Sequence, residues 1–149
     1  MTYLVFSQEP RGRPPFERLH VNAARFFSTT LELLEDGETS IAVRLVCARP
    51  AVRGDFRITS RDTVKDDIMN ARDAEARGRA GGMAMLAEKC AQVWTIEAAG
   101  SDLPSEAAYY TLAAICASVA LGPVMPPDAA TLFGVRGAIE RRDKALAAV

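Results

Sequence analysis

Histidine and lysine are scarce in this chain. It has one histidine, His20, and of its 18 basic residues only Lys65, Lys89 and Lys144 are lysine. Cysteine is sparse too: Cys47, Cys90 and Cys116 lie 43 and 26 residues apart. One histidine and cysteines so spaced fit no zinc-ligand pattern, and the His-x-Glu with Pro-Cys-x-x-Cys signature of zinc deaminases is missing. No metal or cofactor is expected. Histidine-dependent catalysis is reduced to a Cys–His pair, which forms in space rather than in sequence. Cys47 and Cys116 sit in apolar stretches, where thiols behave as small hydrophobes. The odd cysteine count, and the lack near the start of any apolar run longer than Tyr3–Phe6, lead us to expect free thiols and a cytoplasmic location. The arginine and alanine bias is that of GC-rich codons and suggests a bacterial source.

An excess of either charge is also missing. The net charge is −1 and the pI about 5.9, which argues against a dedicated nucleic-acid binder or a basic membrane-surface protein. Apolar content of 49% and charged content of 25% are ordinary for a globular chain. The length suits a single domain able to bury a core without disulfides or metal. No linker, internal repeat or low-complexity segment is visible.

The most informative absence is local. From Ala107 to Pro127 there is no charged residue. A membrane span needs about 20 predominantly apolar residues. Here Gly122-Pro123 ends the helical pattern after Leu121, many positions are Ala, Ser, Thr or Tyr, and no Lys/Arg cluster flanks the run. We therefore expect a buried helix over 104–121. It has no water-facing side, and nothing in the sequence identifies what covers its outer face.

Along the chain, residues 3–6 read as a short strand and 7–15 as a proline-rich connection. Phe26–Leu34 and Thr39–Cys47 flank Asp36-Gly37 in hairpin fashion, with Leu31, Leu33, Ile41, Val43 and Leu45 alternating with polar or small residues. Leu19, Ala23, Phe26, Thr30 and Leu33 also fall at helical spacing behind Pro14-Pro15, so 16–34 reads either way, with the strand preferred from Phe26 onward. Phe56–Thr59 is a third arm and Val93–Ile96 an inner strand. From Asp62 to about Cys90 one long helix is expected, with Val64, Ile68, Ala71, Gly78, Gly82, Met85 and Leu86 as its stripe. Asp73–Arg77 and Glu75–Arg79 have the favourable i,i+4 orientation for ion pairs. Asp62, Asp66, Asp67 and Asp73 read as a solvated acidic face. A last helix starts near Pro126-Pro127-Asp128, burying Leu132, Val135, Ile139 and Leu146.

Four groups of residues are candidates for function. Arg77-Gly78-Arg79-Ala80-Gly81-Gly82 offers arginines and backbone amides for an anion, though without a Gly-Lys-Ser/Thr loop. If helix continues through it, Gly78 and Gly82 instead admit a close neighbour. Glu75 interrupts the apolar stripe and needs a partner such as Arg72 or Arg79. With Arg77 and Arg79 it forms the ligand-binding candidate. Tyr109 and Tyr110 point about 100° apart on the uncharged helix, so one is expected at a surface or subunit boundary. Pro10-Arg11-Gly12-Arg13-Pro14 resembles the core of the AT-hook. That resemblance implies Arg11 and Arg13 in the minor groove of A·T-rich DNA. Glu9 and Glu17 flank the segment.

The expected fold is a single α+β domain, a small and largely antiparallel sheet packed by three helices, with a layered α/β arrangement as the alternative. The leading functional expectation is a non-enzymatic interaction or oligomerising module, a homo-oligomer or partner-binding subunit. A ligand-binding protein or enzyme built on Glu75, Arg77 and Arg79 comes second, and A·T-rich DNA binding third.

Overall fold

The computed structural model describes residues 1–148. The fold is α+β. Six strands, β1 (Tyr3–Ser7), β2 (Thr29–Asp36), β3 (Ser40–Ala48), β4 (Ala51–Asp62), β5 (Gln92–Ala98) and β6 (Val124–Met125), form one sheet in the order β2-β3-β4-β5-β1-β6. Every neighbouring pair is antiparallel. Among the described residues there are five helices rather than three: α1 (Phe16–Phe27), α2 (Lys65–Gly78), α3 (Met83–Glu88), α4 (Glu106–Ala120) and α5 (Val135–Ala147).

Alternation decides which face each strand buries. Ile41, Val43, Leu45 and Cys47 of β3, Phe56 and Ile58 of β4, Trp94 and Ile96 of β5, and Tyr3 and Val5 of β1 share the inner face with α1, α4 and α5. On the outer face, α2 and α3 cover only the β5–β1–β6 end. There Ala71, Ala74, Ala84 and Ala87 pack on Phe6, Val93 and Met125. The β2–β3–β4 end of that face is left to ion pairs, Arg44–Asp55 and Arg57–Glu35.

The cover that the uncharged helix lacks in sequence is intramolecular. Twelve of the fifteen residues of α4 are buried. It rests on β1 and β4 of the sheet and is flanked by α1 and α5. Its alanines allow neighbours to come close, and its hydroxyls are satisfied locally, with Thr111 Oγ1 donating to the Ala107 carbonyl at 2.8 Å. Leu121, in the left-handed region at φ 56°, closes the helix. Gly122 follows because a Cβ there would lie 1.9 Å from the Phe6 carbonyl oxygen. No helix among the described residues is long and apolar enough to cross a membrane.

Several sequence expectations change. The ambiguous segment 16–34 is helix and then strand: Leu19 and Ala23 are buried in α1, Ser28 at φ 50° ends it, and β2 starts at Thr29, so Phe26 and Phe27 belong to the helix. The third arm is twelve residues long, β4, and β6 was not anticipated.

The long helix over 62–90 is two helices. Arg79 adopts a left-handed conformation at φ 53°, and Gly82 one at φ 88°. The break is held by Glu75, whose Oε1 accepts from the Gly82 N–H at 2.6 Å. Beyond it the stripe no longer points inward, and Met85 is exposed. Neither Asp73–Arg77 nor Glu75–Arg79 is among the ion pairs of the described residues; Arg72 pairs with Glu88 instead.

Asp67 leaves the acidic face altogether. It is 5% exposed, accepts two hydrogen bonds from Arg61 at 2.7 and 2.8 Å, and caps α2 by accepting from the Val64 N–H at 2.8 Å. The last helix starts at Val135, not near 126–128, because residues 126–134 run as a loop whose Phe133 bridges to Val124.

Candidate functional site

Ser105 fixes the start of α4: its Oγ accepts from the Ala108 N–H at 3.2 Å. Glu106 and Tyr110 then fall one turn apart on the same helix face, and that face opens on a cleft. The other walls are Met1 and Tyr3 at the start of β1, the 126–131 loop, and Arg141 of α5. The cleft measures about 440 Å³, within the range of small-ligand sites.

Tyr3 and Tyr110 belong to a train of aromatic rings that continues behind the cleft. Tyr109 stacks on Tyr3 at 5.0 Å between centroids, Tyr110 meets Tyr3 edge-on at 5.6 Å, and Phe133 meets Tyr110 at 6.0 Å. The Arg141 guanidinium lies 4.2 Å from the Phe133 ring centroid, and its Nη1 donates to the Gly137 carbonyl at 3.1 Å. The two tyrosines of the pair 109–110 separate as their angular offset requires. Tyr109 is buried at 2% exposure, edge-on to Phe56, and Tyr110 is half-buried and lines the cleft.

Tyr3, Tyr110 and Glu106 are near neighbours along one side of the cleft. Burial raises the pKa of Tyr3 well above that of an ordinary phenol, and the neighbouring Tyr110 adds to the shift. Burial also raises Tyr110, with the Tyr3 hydrogen bond opposing and Glu106 reinforcing. Both phenols are therefore held neutral.

The sequence candidates at 75–79 make contacts within the chain. Glu75 is turned to the Gly82 N–H, while Arg77 Nη1 donates to the Ala129 carbonyl at 2.9 Å. Arg79 caps α2 with its backbone N–H on the Glu75 carbonyl. Their place in the fold is nevertheless next to the cleft. A Cβ at Gly78 would lie 1.9 Å from Thr131 Oγ1, so Arg77 and Gly78 brace the loop that forms the cleft's far wall. Close packing holds at Gly78. At Gly82 the space is open, and the residue serves its positive φ.

Arg11 and Arg13 are engaged within the chain. Arg11 Nε lies 3.3 Å from Asp62 and Arg13 Nη1 lies 2.5 Å from Asp36. The segment is tethered by the buried Gln92 side chain, whose oxygen accepts from the Gly12 and Arg11 N–H groups at 3.1 and 3.2 Å while its nitrogen donates to Ser60 Oγ at 3.0 Å. His20 is exposed, stacked on Phe16, and the three cysteines are buried. No cluster of three or more His, Cys, Asp or Glu able to hold a metal occurs among the described residues.

A second cleft, about 430 Å³, lies between the outer sheet face and residues 100–104. Its Arg44 is committed to Asp55 by two hydrogen bonds of 2.9 and 3.1 Å. Those bonds hold Asp55 below the usual carboxylate range.

Sequence reasoning missed Tyr3, Glu106, Asp128 and Arg141. The Glu106–Tyr110 spacing was the one available signal, because the other members come from opposite ends of the chain. No protein-family model, curated protein or solved structure matches this chain.

Proposed function

We propose that this protein binds a small organic molecule in the cleft between Tyr3, Tyr110, the 126–131 loop and Arg141. The observation that carries this reading is the cleft itself, in which Tyr3, Tyr110, Glu106, Asp128 and Arg141 bring aromatic and polar side chains to one concavity. Few, well-placed polar groups in an otherwise apolar concavity are the mark of a ligand site. The reading is of binding and not of catalysis. The phenols are held neutral, the thiols are buried, and His20 stands outside the cleft.

A fragment screen followed by amide chemical shifts tests it. Fragments should perturb Tyr3, Glu106, Tyr110 and the 126–131 loop, and an Ala130→Trp variant, which fills the rim, should abolish those shifts while keeping the rest of the spectrum. Shifts that cluster around Arg44 and Asp55, or persist in Ala130→Trp, would overturn the assignment.

A second reading is association of two copies through the outer face of β2–β4. Exposed Leu34 and Val46, and rows in which Glu32 and Asp55 flank Arg44, support it, since alternating charge can match its own copy under two-fold symmetry. Light scattering over a wide concentration range tests it: a strict monomer argues against it, and a dimer lost in Val46→Glu argues for it.

A further inference from the structure

The charge around the cleft is unbalanced in a way that selects its ligand. Two carboxylates, Glu106 and Asp128, line it against one guanidinium, Arg141. Neither carboxylate has an ion-pair partner among the described residues; Asp128 only accepts from the Ala130 N–H at 3.1 Å. Arg141, the one cation of the lining, has its guanidinium over the Phe133 ring and spends one N–H on the Gly137 carbonyl. Arg77, the other nearby cation, spends a donor on the Ala129 carbonyl behind the loop. Carboxylates beside aromatic faces are the surroundings a protonated amine prefers, through charge-assisted hydrogen bonds and the ring quadrupole. An anion would meet two uncompensated carboxylates there. Pro126, Pro127, Met1 and Ala130 supply the remaining, apolar wall.

From this we infer that the cleft takes a primary amine carried on a small apolar body, with the ammonium on Glu106 and Asp128 and the body against Tyr110 and Pro127. The inference rests on the ligand-binding reading given above. It assigns a chemical class to the ligand and roles to two carboxylates that sequence reasoning did not single out.

Three probes on one phenethyl frame separate the class from the site: phenethylamine, neutral propylbenzene and 3-phenylpropionate, each titrated with amide shifts as readout. Phenethylamine should bind best and 3-phenylpropionate least. Glu106→Gln should weaken the amine about tenfold, as expected for loss of one hydrogen bond to a charged group, and leave propylbenzene unchanged. Asp128→Asn, at an exposed loop position, should weaken the amine in the same selective way. If propylbenzene or 3-phenylpropionate binds as well as the amine, with shifts in the same residues, the amine assignment fails and the site stands. If none of the three perturbs Tyr110 or the 126–131 loop at millimolar concentration, the site itself fails.

Discussion

Asp67 shows how much one buried residue decides. Its carboxylate joins β4 to α2 through Arg61 and caps the helix at Val64. Burial pushes its pKa up, but the Arg61 and Val64 hydrogen bonds outweigh burial and leave it below the ordinary carboxylate value. A lowered folded-state pKa contributes stability that is present above the unfolded value of about 4 and lost as pH falls through the folded one. Asp67→Asn should therefore cost about 1–2 kcal/mol at neutral pH. It should also flatten the fall in stability below pH 4, measured by urea unfolding at several pH values. Glycines 78 and 81 give a matched pair. Gly78→Ala places a methyl against Thr131 and should destabilise the protein by about 1–3 kcal/mol. Gly81→Ala meets nothing within 4 Å and should be near neutral in the same thermal melt. The sequence placed Gly78 on the helix stripe and left Gly81 off it, but it did not name the neighbour that Gly78 would meet. Their difference lies in a loop more than fifty positions downstream, to which no local pattern refers.

At the level of elements, legibility follows the range of the forces involved. The hairpin around Asp36-Gly37 and the uncharged helix were readable because alternation, turn chemistry and capping act within a few residues. The break after Gly78 was not. It depends on Glu75 reaching forward to the Gly82 N–H and on Arg79 accepting a left-handed conformation, where pattern alone predicted helix. The cover of α4 was not legible either, because α1 lies in the segment that read as strand or helix, and α5 starts several residues later than its signals suggested. Ser105 belongs to this scale, since one hydroxyl sets where α4 begins. Ser105→Ala should lose about 1 kcal/mol in denaturant unfolding. It should also weaken phenethylamine binding, because Glu106 and Tyr110 hang on that first turn.

Over the whole molecule, the sheet joins residues from both ends of the chain into one wall. Tyr3, Tyr110 and Arg141 become neighbours only after β1 has paired with β5 and β6 and α5 has packed on α4. That is why the cleft left so faint a trace in the sequence, while the motifs that stood out, Arg-Gly-Arg at 11–13 and the glycine cluster at 77–82, turn out to be tied into ion pairs, caps and loop bracing. The same closure shields the thiols. Cys116 is fully buried and its pKa is strongly raised by burial, and that of Cys90 is pushed up to about 11. A disulfide-exchange reagent at pH 8 should thus react with Cys116 only at the rate of global unfolding. Fast labelling of Cys116 in the native protein would mean that α4 is not enclosed as described. The account as a whole stands most directly on where an amine sits, which a crystal soaked in phenethylamine would reveal. The predicted result is a molecule between Tyr110, Pro127 and Arg141 with its nitrogen in hydrogen-bond range of Glu106. A molecule seated by Arg44 and Asp55, or none at the tyrosine cleft under saturating soak, would contradict it.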